Sequence, residues 1–205
     1  MFLSKNSFII KFLKNLKKQK IHQVKNSTSF DRYPEIFFVT KKYFDDNFEN
    51  KNIHILSFGC STGEECFSLR KYFPNAKIIG VDINEENIIK CRANNTDKKI
   101  SFYLSNKKNI SKYAPYDIIF GMSVLCKWPD AESLENIGKL YSFSEFHNTL
   151  KILDKLLINN GLLVIYNSNF LFSETDIFKK LVLVMFINLI KTAKDYINLT
   201  KDVFL

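Results

Sequence analysis

The 205-residue chain is sparing with the residues that most often advertise chemistry: four cysteines, three histidines, six glycines, four prolines and one tryptophan. Cys60, Cys66, Cys91 and Cys126 form no C-x-x-C pair, and His22, His54 and His147 stand neither four apart nor close to paired cysteines. The usual zinc spacings are missing, so no metal site is expected. Lysines interrupt the apolar stretch near the N-terminus and no A-x-A-like site follows it, which argues against a secretory signal; the expectation is a cytoplasmic protein with reduced thiols. No apolar run approaches the roughly 20 residues that cross a bilayer. The longest, Leu181 to Ile190, is flanked by lysines and reads as a core helix. There is no G-x-S-x-G elbow for a serine nucleophile. With no internal repeat and no Gly/Ser- or Pro-rich linker, a single domain with a helical preface to about residue 50 is expected.

What is present is apolar and basic. Hydrophobic residues make up 46% of the chain and charged ones 25%, the composition of a globular domain, and the twenty phenylalanines fall mostly at core-like positions. The formal net charge of +9 suggests nucleic acid or anionic lipid as a partner, until it is located. Seven lysines lie in the first 30 residues, with no acid before Asp31, so the remainder is nearly neutral and no nucleic-acid partner is predicted. Phe8, Ile9, Phe12, Leu13 and Leu16 recur at helical spacing with Lys11, Lys14 and Lys18 opposite them. A basic amphipathic helix over residues 1–30 follows, packed on the domain or making a peripheral contact with an anionic membrane or a partner.

Short β-prone runs at Ile53 to Phe58, Lys77 to Val81, Ile100 to Leu104, Tyr116 to Phe120 and Leu162 to Tyr166 alternate with helical patterns at Glu64 to Phe73, Asn84 to Asn95 and Phe143 to Leu157. That alternation predicts an α/β fold, a Rossmann-like doubly wound, mostly parallel sheet with helices on both faces. The expected division is the basic helix and linker at 1–30, a ligand-binding domain at 31–175, and a C-terminal helix and tail at 176–205. Ligands of such sheets sit at the carboxyl ends of the strands.

After the first strand comes Gly59-Cys60-Ser61-Thr62-Gly63-Glu64-Glu65, leading directly into a helix. No Lys-Ser or Lys-Thr follows Gly63, so this is not a Walker loop, and Ser61 and Glu64 spoil a G-x-G-x-x-G. Glu64 and Glu65 suit the helix dipole but repel a pyrophosphate. They suit a ligand with a positive centre, or are simply the acidic first turn of an ordinary helix. Asp82, at the end of the second strand, can accept both hydroxyls of a ribose or can cap the following helix. Together the two features describe a nucleoside without a pyrophosphate, and S-adenosylmethionine fits.

On these residues the sequence resembles the class I S-adenosylmethionine-dependent methyltransferases, most closely the chemotaxis-receptor (CheR-type) branch. Ser57 to Glu65 looks like that branch's cofactor loop, including a serine where other methyltransferases carry an acid. Thr28 to Phe37 is similar to its T-x-F-x-R-x-P-x-x-F segment, which implies that Arg32 lies beside the cofactor and orients charged groups. Tyr116 to Leu125 looks like the fourth-strand motif, with Met122 and Ser123 where the branch has arginine and asparagine. Leu156 to Val164 matches the helix, turn and fifth strand of the wider class. The resemblance covers residues 28 to 172.

It implies Gly59, Cys60, Ser61, Gly63, Glu64, Asp82, Ile83, Ser105, Asn106 and Ser123 as cofactor-binding residues. Ser105 and Asn106 would contact adenine or merely cap the next helix. Met122, Trp128, Asn167 and Asn169 follow strand ends on the ligand side and would line the acceptor pocket, Trp128 by stacking or as a loop anchor. His54 and His147 read as structural. The expected reaction is methyl transfer to an unidentified small-molecule or protein side-chain acceptor; a catalytically silent cofactor-binding or membrane-peripheral protein is the alternative.

Overall fold

The computed structural model describes residues 28–49, 52–127 and 141–177. The basic helix expected over residues 1–30, the apolar run Leu181 to Ile190 and Trp128 lie outside the described residues. Pro34, whose missing amide hydrogen costs nothing at a helix start, opens α1 (Pro34–Asn47), which buries Ile36, Phe37, Thr40 and Phe44. Then β1 (His54–Phe58), α2 (Glu64–Tyr72), β2 (Lys77–Asp82), α3 (Glu85–Asn94) and β3 (Ile100–Leu104) alternate. A short α4 (Lys107–Ser111) precedes β4 (Tyr116–Met122), α5 (Phe143–Asp154) and β5 (Leu157–Tyr166).

The five strands form one parallel sheet in the order β3-β2-β1-β4-β5. Both faces are covered, which is why the strands read as continuous rather than alternating apolar runs. Ile55 and Leu56, neighbours on β1 and both fully buried, point to opposite cores. Ile55 joins Phe37, Leu69, Ile88 and Phe120 under α1, α2 and α3. Leu56 joins Ile110, Phe146, Leu150 and Leu153 under α4 and α5. The doubly wound expectation is met, and the strand order reverses between β1 and β4, so the crevice at their carboxyl ends is where a ligand belongs.

Phe37, Phe44, Phe102, Phe120, Phe146 and Phe172 are buried as expected, whereas Phe30 and Phe38 are about 60% exposed. The fifth strand differs from the expected one. It starts at Leu157, and α5 stops at Asp154, because Tyr116 pairs with Leu157 while Ile118 already pairs with Leu162. The surplus residues bulge out of the ladder with Asn160 in the left-handed region at φ 64°. A polar Asn-Asn-Gly stretch that reads as a turn is thus a bulge inside a strand. Among the described residues, no helix is long and apolar enough to cross a membrane.

Candidate active site

The turn after β1 is built by two left-handed glycines, Gly59 at φ 82° and Gly63 at φ 100°, with Ser61 between them at φ 50°. At Gly59 a side chain is doubly excluded, since a Cβ would stand 2.3 Å from a methyl of Val124. The amides of Gly59 and Cys60 both donate to the Val81 carbonyl at 2.8 and 2.9 Å, holding the turn against the end of β2. Asp82 completes the fixing: Oδ2 accepts the Ser61 amide at 2.9 Å, and Oδ1 accepts the Asn84 amide at 2.8 Å and Asn87 Nδ2 at 3.3 Å. Asp82 is not the cap of α3: Asn84 is, its side chain accepting the Glu86 amide at 3.0 Å, and Asp82 holds the Asn84 amide in place. It shapes the loop, and Oδ2 keeps one acceptor position for a further donor.

The two adjacent glutamates diverge. Glu64 turns back, its carboxylate accepting the Thr62 hydroxyl at 2.7 and 2.9 Å, and it does not line the crevice. Of the two acids expected to suit a cationic ligand, Glu64 therefore stands outside this crevice. One helix position on, the side chain swings by about 100°, and Glu65 enters the crevice, where Ser57 on β1 donates to Oε1 at 2.7 Å. Burial pushes the Glu65 carboxyl up to about 7, against the pull of the Ser57 hydrogen bond. Cys60 also lines the crevice, but it is buried and burial beside Cys66 and Cys91 pushes its thiol well up, so it packs as an inert wall.

The roof comes from the segment before α1. Asp31, at φ 52°, is tied to α2 three times: its amide donates to Ser68 Oγ at 2.7 Å, and its carboxylate accepts Lys71 Nζ at 2.6 Å and the Tyr72 hydroxyl at 2.8 Å. The Lys71 hydrogen bond holds the Asp31 carboxyl below its ordinary value. This clasp sets Arg32 and Tyr33, its chain neighbours, over Glu65, Ser61 and Met122, and the guanidinium lies 5.1 Å from the Tyr33 ring centroid. Tyr33, absent from the sequence reading, hydrogen-bonds through its hydroxyl to Ser123 Oγ at 2.9 Å and stacks obliquely on Tyr166 at 4.8 Å. Its only advance signal was its place beside Arg32.

The loops after β4 and β5 meet under this roof. Ser123 and Asn167 are left-handed at φ 55° and 54°, and Asn167 Nδ2 donates to Ser123 Oγ at 3.3 Å. Non-glycine residues in that region cost backbone energy and cluster at functional sites; Ser61, Ser123 and Asn167 place them beyond three neighbouring strand ends. Asn169 knits the two loops: its Oδ1 accepts the Lys127 amide at 2.6 Å and its amide donates to the Leu125 carbonyl at 3.2 Å. Asn106 is the N-cap of α4, accepting the Asn109 amide at 2.9 Å. Ser105 donates its amide to the Asp82 carbonyl at 2.7 Å, and Ile83 follows Asp82 on the same rim. His54 is structural, its amide bound to Asp117, and His147 faces Asp176 across the surface.

The crevice lined by Arg32, Tyr33, Gly59, Ser61, Glu65 and Met122 encloses about 40 Å³. Lying at the carboxyl ends of β1 and β4, it is where such sheets receive a ligand. Two observations fit a ligand there. Ser61 Oγ is buried without a hydrogen-bond partner. Glu65, the acid beside it, would be relieved of its burial cost by a cation. Among the described residues, no group of His, Cys, Asp and Glu side chains has the arrangement of a metal site.

The family model described as Methyltransferase domain matches residues 49–199. A curated relative, the malonyl-[acyl-carrier protein] O-methyltransferase of Priestia megaterium (strain DSM 319 / IMG 1521), is 30% identical over 118 residues, 58% of this chain. The chain spans only 38% of that relative's length. Similar solved structures include the plantazolicin methyltransferase BpumL in complex with SAH, at TM-score 0.49 and 22% identity over 80% of this chain and 55% of that one. PKMT2 from Rickettsia typhi is similar at TM-score 0.48 and 19% identity, over 67% of this chain and 26% of that one.

Proposed function

We propose, from the premise that this chain belongs to the methyltransferase-domain family, that it binds S-adenosylmethionine at the β1 turn and transfers its methyl group to a carboxylate oxygen. The observation that carries the cofactor reading is that one crevice is lined both by Glu65 and by Ser61, whose Oγ has no hydrogen-bond partner. In that pocket Glu65 would hold the ammonium of the cofactor's amino-acid end, with Ser57 keeping the carboxylate oriented. Arg32 would take the neighbouring carboxylate. Asp82, with its spare acceptor position on Oδ2, would take a ribose hydroxyl.

When bound, the cofactor supplies a methyl carbon already activated by a sulfonium. The protein's share is then alignment and exclusion of water. The clasp of Asp31 on α2 keeps the roof closed, and Met122 and Tyr33 give the wall beside the methyl an apolar surface with one hydroxyl. Among the described residues no histidine lines the crevice, and a carboxylate acceptor needs no base to become nucleophilic. The named activity of the Priestia relative, an O-methyltransferase acting on a malonyl group, supports the same acceptor class. Methylation of a receptor glutamate, which the chemotaxis-receptor resemblance would bring, is a second case of that chemistry, but Met122 and Ser123 replace that branch's arginine and asparagine. A cytoplasmic setting belongs to this proposal, supported by four buried cysteines that form no disulfide.

The test is calorimetric titration of the full chain with S-adenosylhomocysteine. One equivalent is expected to bind, and Asp82→Ala is expected to weaken it at least about tenfold, the loss of a charged hydrogen bond and of the loop it fixes. Unchanged affinity in that variant would remove the nucleoside site from the β1–β2 rim.

A further inference from the structure

The segment from Lys90 to Lys112 carries seven cations against one carboxylate, Asp97, a surplus of six in a stretch of 23 residues. That one carboxylate is already taken, since Arg70 Nε holds it at 2.6 Å. The chain after residue 30 has a net charge of only +2, so this segment is set against a net-negative remainder. The cations are not scattered. In the sheet order β3 is an edge strand, and the charges surround it: Lys90 and Arg92 on α3, Lys98 and Lys99 where β3 begins, Lys107, Lys108 and Lys112 where it has ended. All seven are exposed. From Lys99 to Lys107 the strand rise gives a ridge on the order of 20 Å long.

The outward carbonyls of that edge are already taken. Residues facing β2 are the odd-numbered ones, as the Lys99 carbonyl accepting the Ile78 amide shows, so the carbonyls of Ile100, Phe102 and Leu104 face outward. Each is capped by a side chain: Ile100 by Asn95 Nδ2 at 2.9 Å, Phe102 by the Arg92 guanidinium at 2.8 and 3.0 Å, and Leu104 by Asn109 Nδ2 at 2.8 Å. With its acceptors occupied, this edge addresses a partner by charge more than by β-pairing.

We infer that the β3 edge is a docking ridge for an acidic polypeptide segment. Two features set this partner above other polyanions. Bases stack on bare aromatic faces, but Tyr103 and Tyr113, whose hydroxyls pair with each other, are covered by Lys112 at 5.5 and 5.1 Å, Arg92 at 5.9 Å and Lys77 at 4.5 Å. A bilayer presents a plane, whereas α3 and α4 belong to opposite faces of the sheet, Ile88 and Ile110 lying in different cores, so the cations wrap a convex edge. A flexible chain of carboxylates can follow such an edge. Its upper end lies on the rim of Asp82, which pairs with Leu104.

The experiment is fluorescence anisotropy of a labelled oligoglutamate peptide with the full chain at low salt, and it does not depend on methyl transfer. Combined Lys98→Glu, Lys99→Glu, Lys107→Glu and Lys108→Glu is expected to weaken binding at least about tenfold, and reversal of Lys11, Lys14 and Lys18 less than about threefold. The four ridge positions are exposed, and the matching glutamine set, expected to lose binding in the same direction, replaces the reversal if that variant does not fold. Binding that survives ridge reversal, binding abolished by the N-terminal reversal alone, or ridge-dependent capture of an oligonucleotide or of phosphatidylglycerol vesicles more tightly than the peptide would overturn the inference.

Discussion

Burial and a single hydroxyl set the character of Glu65. Its carboxyl is lifted from 4.5 to about 7 by burial, so between those values the folded chain keeps a proton that the unfolded chain has released. Stability therefore falls as pH rises through that window, by no more than about 3 kcal/mol, and is flat above it. Glu65→Gln is expected to abolish the slope and to leave the protein about 1–3 kcal/mol more stable than the parent at pH 8, as read by thermal denaturation across pH. Cofactor binding moves the other way, because only the ionised acid attracts an ammonium. Affinity for S-adenosylhomocysteine is expected to be about tenfold weaker at pH 6 than at pH 8, and a pH-independent affinity would mean that another group holds the amine. A residue destabilised in the free protein and needed by the ligand is the pattern of a functional site rather than of a core.

At the scale of elements, the sheet and most helices were legible because parallel strands buried on both faces announce themselves as apolar runs, and helices by their spacing. The glycine turn was legible for the same physical reason that makes it vulnerable. Gly59→Ala, with a Cβ 2.3 Å from Val124 and a left-handed φ of 82°, is expected to cost about 2–3 kcal/mol in chemical denaturation and to weaken cofactor binding with it. Which of two adjacent glutamates enters the crevice was not legible, since one residue rotates a helix side chain by about 100° and only the packing of α2 against β1 selects Glu65. Tyr33 was hidden too: its role depends on a contact with Ser123, 90 residues away. The capping role of Asn106 was one of its two expected readings, whereas the bond of Asn169 to the Lys127 amide, 42 residues away, leaves no mark in spacing. The capping box of α5, where Ser142 and Glu145 satisfy each other's amides, offers a control. Ser142→Ala is expected to cost about 1 kcal/mol of stability and to leave cofactor affinity unchanged.

Over the whole molecule, the strand order β3-β2-β1-β4-β5 does three things at once. It brings the ends of β1 and β4 together under the Thr28–Tyr33 roof, it places Asp82 one strand away from that crevice, and it leaves β3 at an edge where the positive charge collects. The overall charge of +9 is thus two separate features, a basic N-terminal segment and a basic edge, around a ligand loop that is acidic. The proposed function requires the acidic loop to hold the cationic end of the cofactor through Glu65. The most direct measurement is a side-by-side calorimetric titration of Glu65→Gln and Glu64→Gln with S-adenosylhomocysteine at pH 8. Glu65→Gln is expected to lose at least about tenfold in affinity, while Glu64→Gln stays within about threefold of the parent. The reverse order, or equal losses in both, would contradict the proposed function.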